Sequence, residues 1–155
     1  MSDYISDTTD PSDGTSAYCG GNDWVPYKDE KCFKIIEKLA THDEAETICN
    51  QEYFRTNSVT PTLVSIKSAA EQEYLTKFVF ETSGVVNSVW IGAKRRPENS
   101  TKFVWNDGSD IEFDNWAEGS PTEESRRGCV EMQSEFSKQF SNMSDLDHRA
   151  FHHSS

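Results

Sequence analysis

The chain has 155 residues, with 27 acidic against 15 basic side chains and a formal net charge of -12. That length suits one domain with a core of its own. The acidic balance argues against nucleic acid as a main partner, because phosphate binding needs a basic footprint, and no apolar run approaches the length of a membrane span.

In chain order, residues 1–18 are rich in Ser, Asp and Thr and hold almost no large apolar side chain. Such a stretch cannot bury enough surface to offset its ordering entropy, so the expectation is a disordered acidic tail at 1–18 and a folded domain over 19–155. From Cys19 onward the pattern predicts a hairpin. Its arms are Trp24-Val25-Pro26-Tyr27 and Lys31 to Ile36, and its turn is Lys28-Asp29-Glu30. Thr41-His42-Asp43-Glu44 reads as a capping box that opens a helix with Ala45, Ile48 and Cys49 on one face. Thr62-Leu63-Val64-Ser65-Ile66 is a short strand. Ser68-Ala69-Ala70-Glu71 is a second capping box, and its helix places Tyr74, Leu75, Phe78 and Val79 on one stripe.

From Trp90 to Cys129 the chain changes character. It reads Trp90-Ile91-Gly92-Ala93, then Phe103-Val104-Trp105-Asn106-Asp107-Gly108-Ser109, then Phe113-Asp114-Asn115-Trp116, then Pro121, then Gly128-Cys129-Val130. Three of the four tryptophans fall here, in short apolar bursts separated by turn formers. The reading is of short strands joined by structured loops, with Trp90, Trp105 and Trp116 as core and loop anchors.

This order and spacing resembles the C-type lectin-like domain family: WIG, then F-x-W-x-DGS, then F-x-NW, a loop with a proline, and a cysteine strand. The resemblance covers roughly residues 19–153. It implies an α+β fold in which two helices flank small antiparallel sheets, with a long loop region from about Lys94 to Gly128. Function in that family sits in the loop around Pro121, and the bond before that proline is often cis. The resemblance to long-form members implies that the N-terminal hairpin is closed by a Cys19–Cys32 disulfide. Closing a loop of that size contributes about 3 kcal/mol.

The same resemblance marks where this chain departs from sugar-binding members. They carry Glu-Pro-Asn or Gln-Pro-Asp in the loop, flanking side chains that hold calcium and sugar hydroxyls together, and calcium takes hard oxygen ligands. Here the triplet is Ser120-Pro121-Thr122. A further acid expected before the cysteine falls on or near Arg127. A later Trp-Asn-Asp becomes Ser141-Asn142-Met143, which keeps only Asn142. The expected ligand loop is therefore Glu118, Ser120, Pro121, Thr122, Glu123, Glu124, Arg126, Arg127 and Asn142. No cofactor is expected, although calcium stays open through the displaced acids Glu118, Glu123 and Glu124 with Asn142 and Asp145.

Cys49 and Cys129 match one half each of two family bridges, and no cysteine stands where their partners should be. Three explanations stay open: buried thiols from divergence, an altered or truncated C-terminus, or a Cys49–Cys129 bond. Buried thiols are the first choice, since an unpaired cysteine packs as a small hydrophobe. Asn99 and Asn142 open glycosylation sequons. With the cysteines, these favour an extracellular setting, secreted or as an ectodomain. The first residues, Met1-Ser2-Asp3-Tyr4, carry no secretory signal.

Lys94-Arg95-Arg96 and Arg126-Arg127 are the clustered bases of an acidic chain. The second pair lies in the ligand loop, where an arginine fork suits carboxylate, sulfate or phosphate. His148, His152 and His153 cluster near the end, but strand spacing separates the first two, and no metal is assigned to them. There is no H-E-x-x-H, G-x-S-x-G, Walker or dinucleotide motif, so no catalytic residue is named. The expectation is a non-catalytic recognition module whose contact loops are 94–101 and 114–127. It would bind a protein or an acidic glycan without calcium. The alternatives are a calcium-dependent lectin using the displaced acids and, as a different class, a structural protein. The oligomeric state is left open.

Overall fold

The computed structural model describes residues 2–9, 19, 24–28, 31–51, 60–97, 100–124, 127–134 and 139–143. In chain order the elements are β1 (Ser2–Thr9), β2 (Val25–Tyr27), β3 (Lys31–Ala40), α1 (His42–Gln51), β4 (Thr62–Leu63), α2 (Ala69–Thr76), β5 (Val89–Arg95), β6 (Phe103–Trp105), β7 (Cys129–Met132) and β8 (Phe140–Met143). Helix α2 runs on into a π-helical segment, Lys77–Thr82. One mixed sheet carries the strands in the order β2-β3-β1-β5-β7-β8, with β4 added on β1 and β6 on β5. The α+β class expected from sequence holds.

Local signals account for most of these elements. Val25 faces Phe33 and Tyr27 faces Lys31 in the hairpin, with Lys28 at a positive φ of 48° in its turn. A Cys19–Cys32 disulfide closes the hairpin and packs with Trp24. The first capping box is reciprocal: Glu44 N–H donates to Thr41 Oγ1 at 3.2 Å, and Thr41 N–H donates to Glu44 Oε2 at 3.0 Å. The second is one-sided. Glu71 N–H donates to Ser68 Oγ at 3.1 Å, but the Glu71 carboxylate turns to Lys67 N–H at 3.2 Å and to Lys31 Nζ at 2.6 Å. Leu75 and Val79 enter the main core, with Tyr74 and Phe78 at its edge.

Residues 2–9 correct the expectation of a disordered tail. They form β1, antiparallel to β3 with Tyr4 opposite Ile36, and parallel to β5 with Tyr4 opposite Trp90. Tyr4 and Ile5 are fully buried in different clusters, Tyr4 with Ala45 and Cys49 of α1, Ile5 in the main core. The composition hid this because Asp3, Ser6 and Asp7 are also buried. The cost of burying Asp7 is offset by Lys31, whose ammonium lies 3.4 Å from Asp7, 2.6 Å from Glu71 and 2.7 Å from the Ser65 carbonyl. The sheet thus extends beyond the boundary expected at Cys19, and residues 10–18 lie outside the described set.

The tryptophans act as anchors. Trp90 is fully buried and donates its indole N–H to the Ala40 carbonyl at 2.8 Å. Next to it, Gly92 lets β5 press against β4: a Cβ there would stand 2.5 Å from the Leu63 carbonyl oxygen. Trp105 meets Phe140 edge-on, and Trp116, half-buried, meets Phe103 and Phe140 the same way. These contacts hold the base of the long loop against the sheet.

Candidate functional site

The expected ligand loop is tied to the sheet at two residues, one at the end of β5 and one on β8. Alternation along β5 sends Lys94 outward and Arg95 inward. Lys94 pairs with Asp43 at the start of α1, and its hydrogen bond holds the Asp43 carboxyl below its ordinary range. Arg95 is 3% exposed and lies under the loop. Its Nη1 donates to the Ser100 carbonyl at 2.7 Å. Its Nη2 faces the carbonyls of Thr122 at 3.0 Å, Glu124 at 2.9 Å and Arg127 at 3.2 Å. The guanidinium carbon stands 4.7 Å from the centre of the Phe103 ring.

Asn142 is the second tie. It sits on β8 opposite Val130 and is 1% exposed. Its Oδ1 accepts from Thr122 N–H at 2.8 Å. Its Nδ2 donates to Arg127 O at 2.8 Å and to the Thr122 carbonyl and hydroxyl, both at 3.1 Å. Arg95 and Asn142 therefore share two acceptors, the carbonyls of Thr122 and Arg127. The sequon position Asn142 is enclosed, and both ends of its amide are spent on the loop backbone.

The remaining loop residues divide by exposure. Glu118, Pro121, Glu123 and Glu124 are exposed; Ser120, Thr122 and Arg127 are half-buried. The Ser120–Pro121 bond is cis. Arg127 forms an ion pair with Glu124 at 3.0 Å, so its charge is partly neutralised within the loop. Exposed Glu112 and Asp114 continue the acidic face upstream. Cys49 is buried and Cys129 half-buried in the cluster around Tyr4 and Trp90, and neither forms a disulfide in the structure. Arg126, Asn99, Asp145, His148, His152 and His153 lie outside the described residues.

The donor set here is poor in what calcium takes. Ser120 and Thr122 offer no carboxylate or side-chain amide beside Pro121, and the Asn142 amide oxygen is already an acceptor for Thr122 N–H. Among the described residues no three His, Cys, Asp or Glu side chains are grouped so as to hold a metal ion. Among the described residues, the donors around Pro121 do not fit a calcium site, and Asp145 of the expected set lies outside them. Sequence reasoning found Asn142 but grouped Arg95 with Lys94 and Arg96 as clustered bases within the expected contact loop 94–101; the outward-inward alternation of Lys94 and Arg95 was the signal that could have separated them.

Comparison with known proteins agrees with this architecture. A family model described as Lectin C-type domain matches residues 38–150. The chain is 32% identical to lithostathine-2 of Mus musculus over 103 residues, 66% of this chain and 56% of that protein. It is 31% identical to C-type lectin 1 of Hydrophis hardwickii over 108 residues, 70% of this chain and 60% of that protein. The matched stretch thus spans little more than half the length of these relatives. Among solved structures, the C-type lectin CEL-I from Cucumaria echinata superposes with a TM-score of 0.72 at 26% identity, covering 81% of this chain and 89% of that one. With the matched family model, the fold and the tryptophan-anchored loop, this chain belongs to the C-type lectin domain family, a carbohydrate- or protein-binding and generally non-catalytic family that often binds calcium.

Proposed function

We propose that this domain is an extracellular recognition module that engages a protein or an acidic glycan through its long loop without calcium. The observation that carries this reading is the state of Asn142: its amide is committed to the Thr122 and Arg127 backbone, where a calcium-dependent reading would need it as a metal ligand. The flanking pair Ser120 and Thr122 adds no strong oxygen donor. The Cys19–Cys32 disulfide supports an oxidising, extracellular setting.

The charge of the loop favours one side of this proposal. Glu112, Asp114, Glu118 and Glu123 are exposed on it, while Arg127 is paired with Glu124. A protein surface with a basic patch complements that face better than a sulfated or sialylated glycan does. Rim charges of this kind act mainly on association rate and salt dependence.

The test is a glycan array and a panel of basic extracellular proteins, each probed with the purified chain in millimolar calcium and in chelator. The reading expects binding that is equal in both buffers and weakened by Glu118→Gln with Glu123→Gln. Binding to neutral sugars that disappears with chelator would refute it. Binding restricted to sulfated or sialylated glycans would move the ligand to the acidic-glycan side and assign it to Arg126 and Arg127.

A further inference from the structure

We infer that the loop over residues 100–127 is built around a cation site, and that this chain fills the site with its own Arg95 guanidinium. Four backbone carbonyls, from Ser100, Thr122, Glu124 and Arg127, converge on one guanidinium at 2.7–3.2 Å. Three of them surround the single nitrogen Nη2, which has only two hydrogens, so at least one bond is shared. Convergence of carbonyl oxygens on one positive centre is how a protein holds a cation in a loop, and the planar guanidinium fork offers several donors to meet them. The Phe103 ring, 4.7 Å away, closes one side of the site.

Charge and placement both fit this role. The arginine leaves from the last residue of β5, an anchored strand, so the cation is fixed in position before the loop closes over it. It lies 3% exposed, where hydrogen bonds from a charged donor are stronger than those from a neutral one. Asn142 alone would tie only Thr122 and Arg127; Arg95 adds Ser100 and Glu124, at the two ends of the loop region. Arg95 is thus a positioning residue, and the recognition face is formed before any ligand or metal arrives. This inference deepens the calcium-free reading, but it concerns the order of the loop and does not depend on which ligand binds.

The experiment is amide hydrogen exchange on the whole chain, comparing the wild type with Arg95→Ala and Arg95→Lys. In the wild type, amides of residues 120–127 are expected to exchange at the same rate in calcium and in chelator. Loss of several bonds to a charged donor is expected to speed their exchange by about 10- to 100-fold in Arg95→Ala, with core amides of β5 and β7 unchanged. Guanidinium ion at about 20 mM, too dilute to unfold a domain, is expected to restore most of that protection, and the same concentration of sodium chloride is not. Arg95→Lys keeps the charge without the fork and is expected to fall between the two.

Chelator-induced loosening of the wild-type loop would overturn the inference, because a metal would then order it. So would unchanged exchange in Arg95→Ala, or a loss spread evenly over the core that guanidinium leaves uncorrected. Should Arg95→Ala fail to fold, Arg95→Lys and the wild-type chelator comparison decide the matter on their own. Failure of the binding assays with an intact loop result would count against the proposed ligand class and leave Arg95 in its role.

Discussion

Asn142 and Arg95 place the emphasis of this domain on single side chains. Asn142 makes four hydrogen bonds while almost wholly enclosed, and a buried polar group left without its partner costs about 1–3 kcal/mol. Asn142→Ala strands the Thr122 N–H, while the Thr122 and Arg127 carbonyls keep their bonds from Arg95, so chemical denaturation should report a loss of that size, and adding calcium should recover none of it. A loss below about 0.5 kcal/mol, the usual range of a surface change, would mean that the amide is not holding the loop. Peptide mapping of protein from a secretory host should also find Asn142 without glycan. The sequence named Asn142 as a remnant of a metal-binding triplet; its burial against Thr122 depends on the pairing of β8 with β7, a contact set by the fold and absent from the local pattern. Arg95 was harder still, because three consecutive bases read as one solvated patch until a strand turns every second one inward.

At the scale of elements, β1 is the largest difference between what the sequence suggested and what the chain does. The hairpin and both helices were legible because turn residues, capping boxes and apolar spacing are local signals, and the Cys19–Cys32 closure followed from the family resemblance. β1 has only Tyr4 and Ile5 as large apolar residues between acids, and its order comes from Lys31, Thr62 and Ser65, which lie far along the chain. Its buried acid makes a testable consequence. Burial pushes the Asp7 carboxyl up to about 6, against the opposing pull of Lys31 and the hydrogen bonds from Ser65 and Thr62. Burial likewise raises Asp3 and Glu46. A carboxyl whose value is higher in the folded state binds its proton more tightly there, so it adds stability as pH falls through about 6 toward 4 and loses it as pH rises. The melting temperature should therefore rise on going from about pH 7 to about pH 5, and Asp7→Asn should flatten that rise. A disordered tail predicts no effect of Asp7→Asn at any pH, and that result would remove β1 from the folded unit.

For the whole molecule, the organisation is a lectin-type scaffold whose loop is fastened from inside. The tryptophans hold the loop base to the sheet, Arg95 and Asn142 hold its closing segment, and Glu112, Asp114, Glu118 and Glu123 stay exposed. The scaffold could be read from the order of the WIG, DGS and NW motifs, whereas the fastening could not, because it runs through backbone carbonyls that carry no sequence signature. The central claim is that this arrangement needs no calcium. Its most direct test is the melting temperature of the purified chain in millimolar calcium and in chelator. A specific site bound at a hundred times its dissociation constant would add about 2.7 kcal/mol, which is a rise of roughly 5–10 °C for a domain of this size. The account predicts the same melting temperature in both buffers, and a calcium-dependent rise of that order would contradict it.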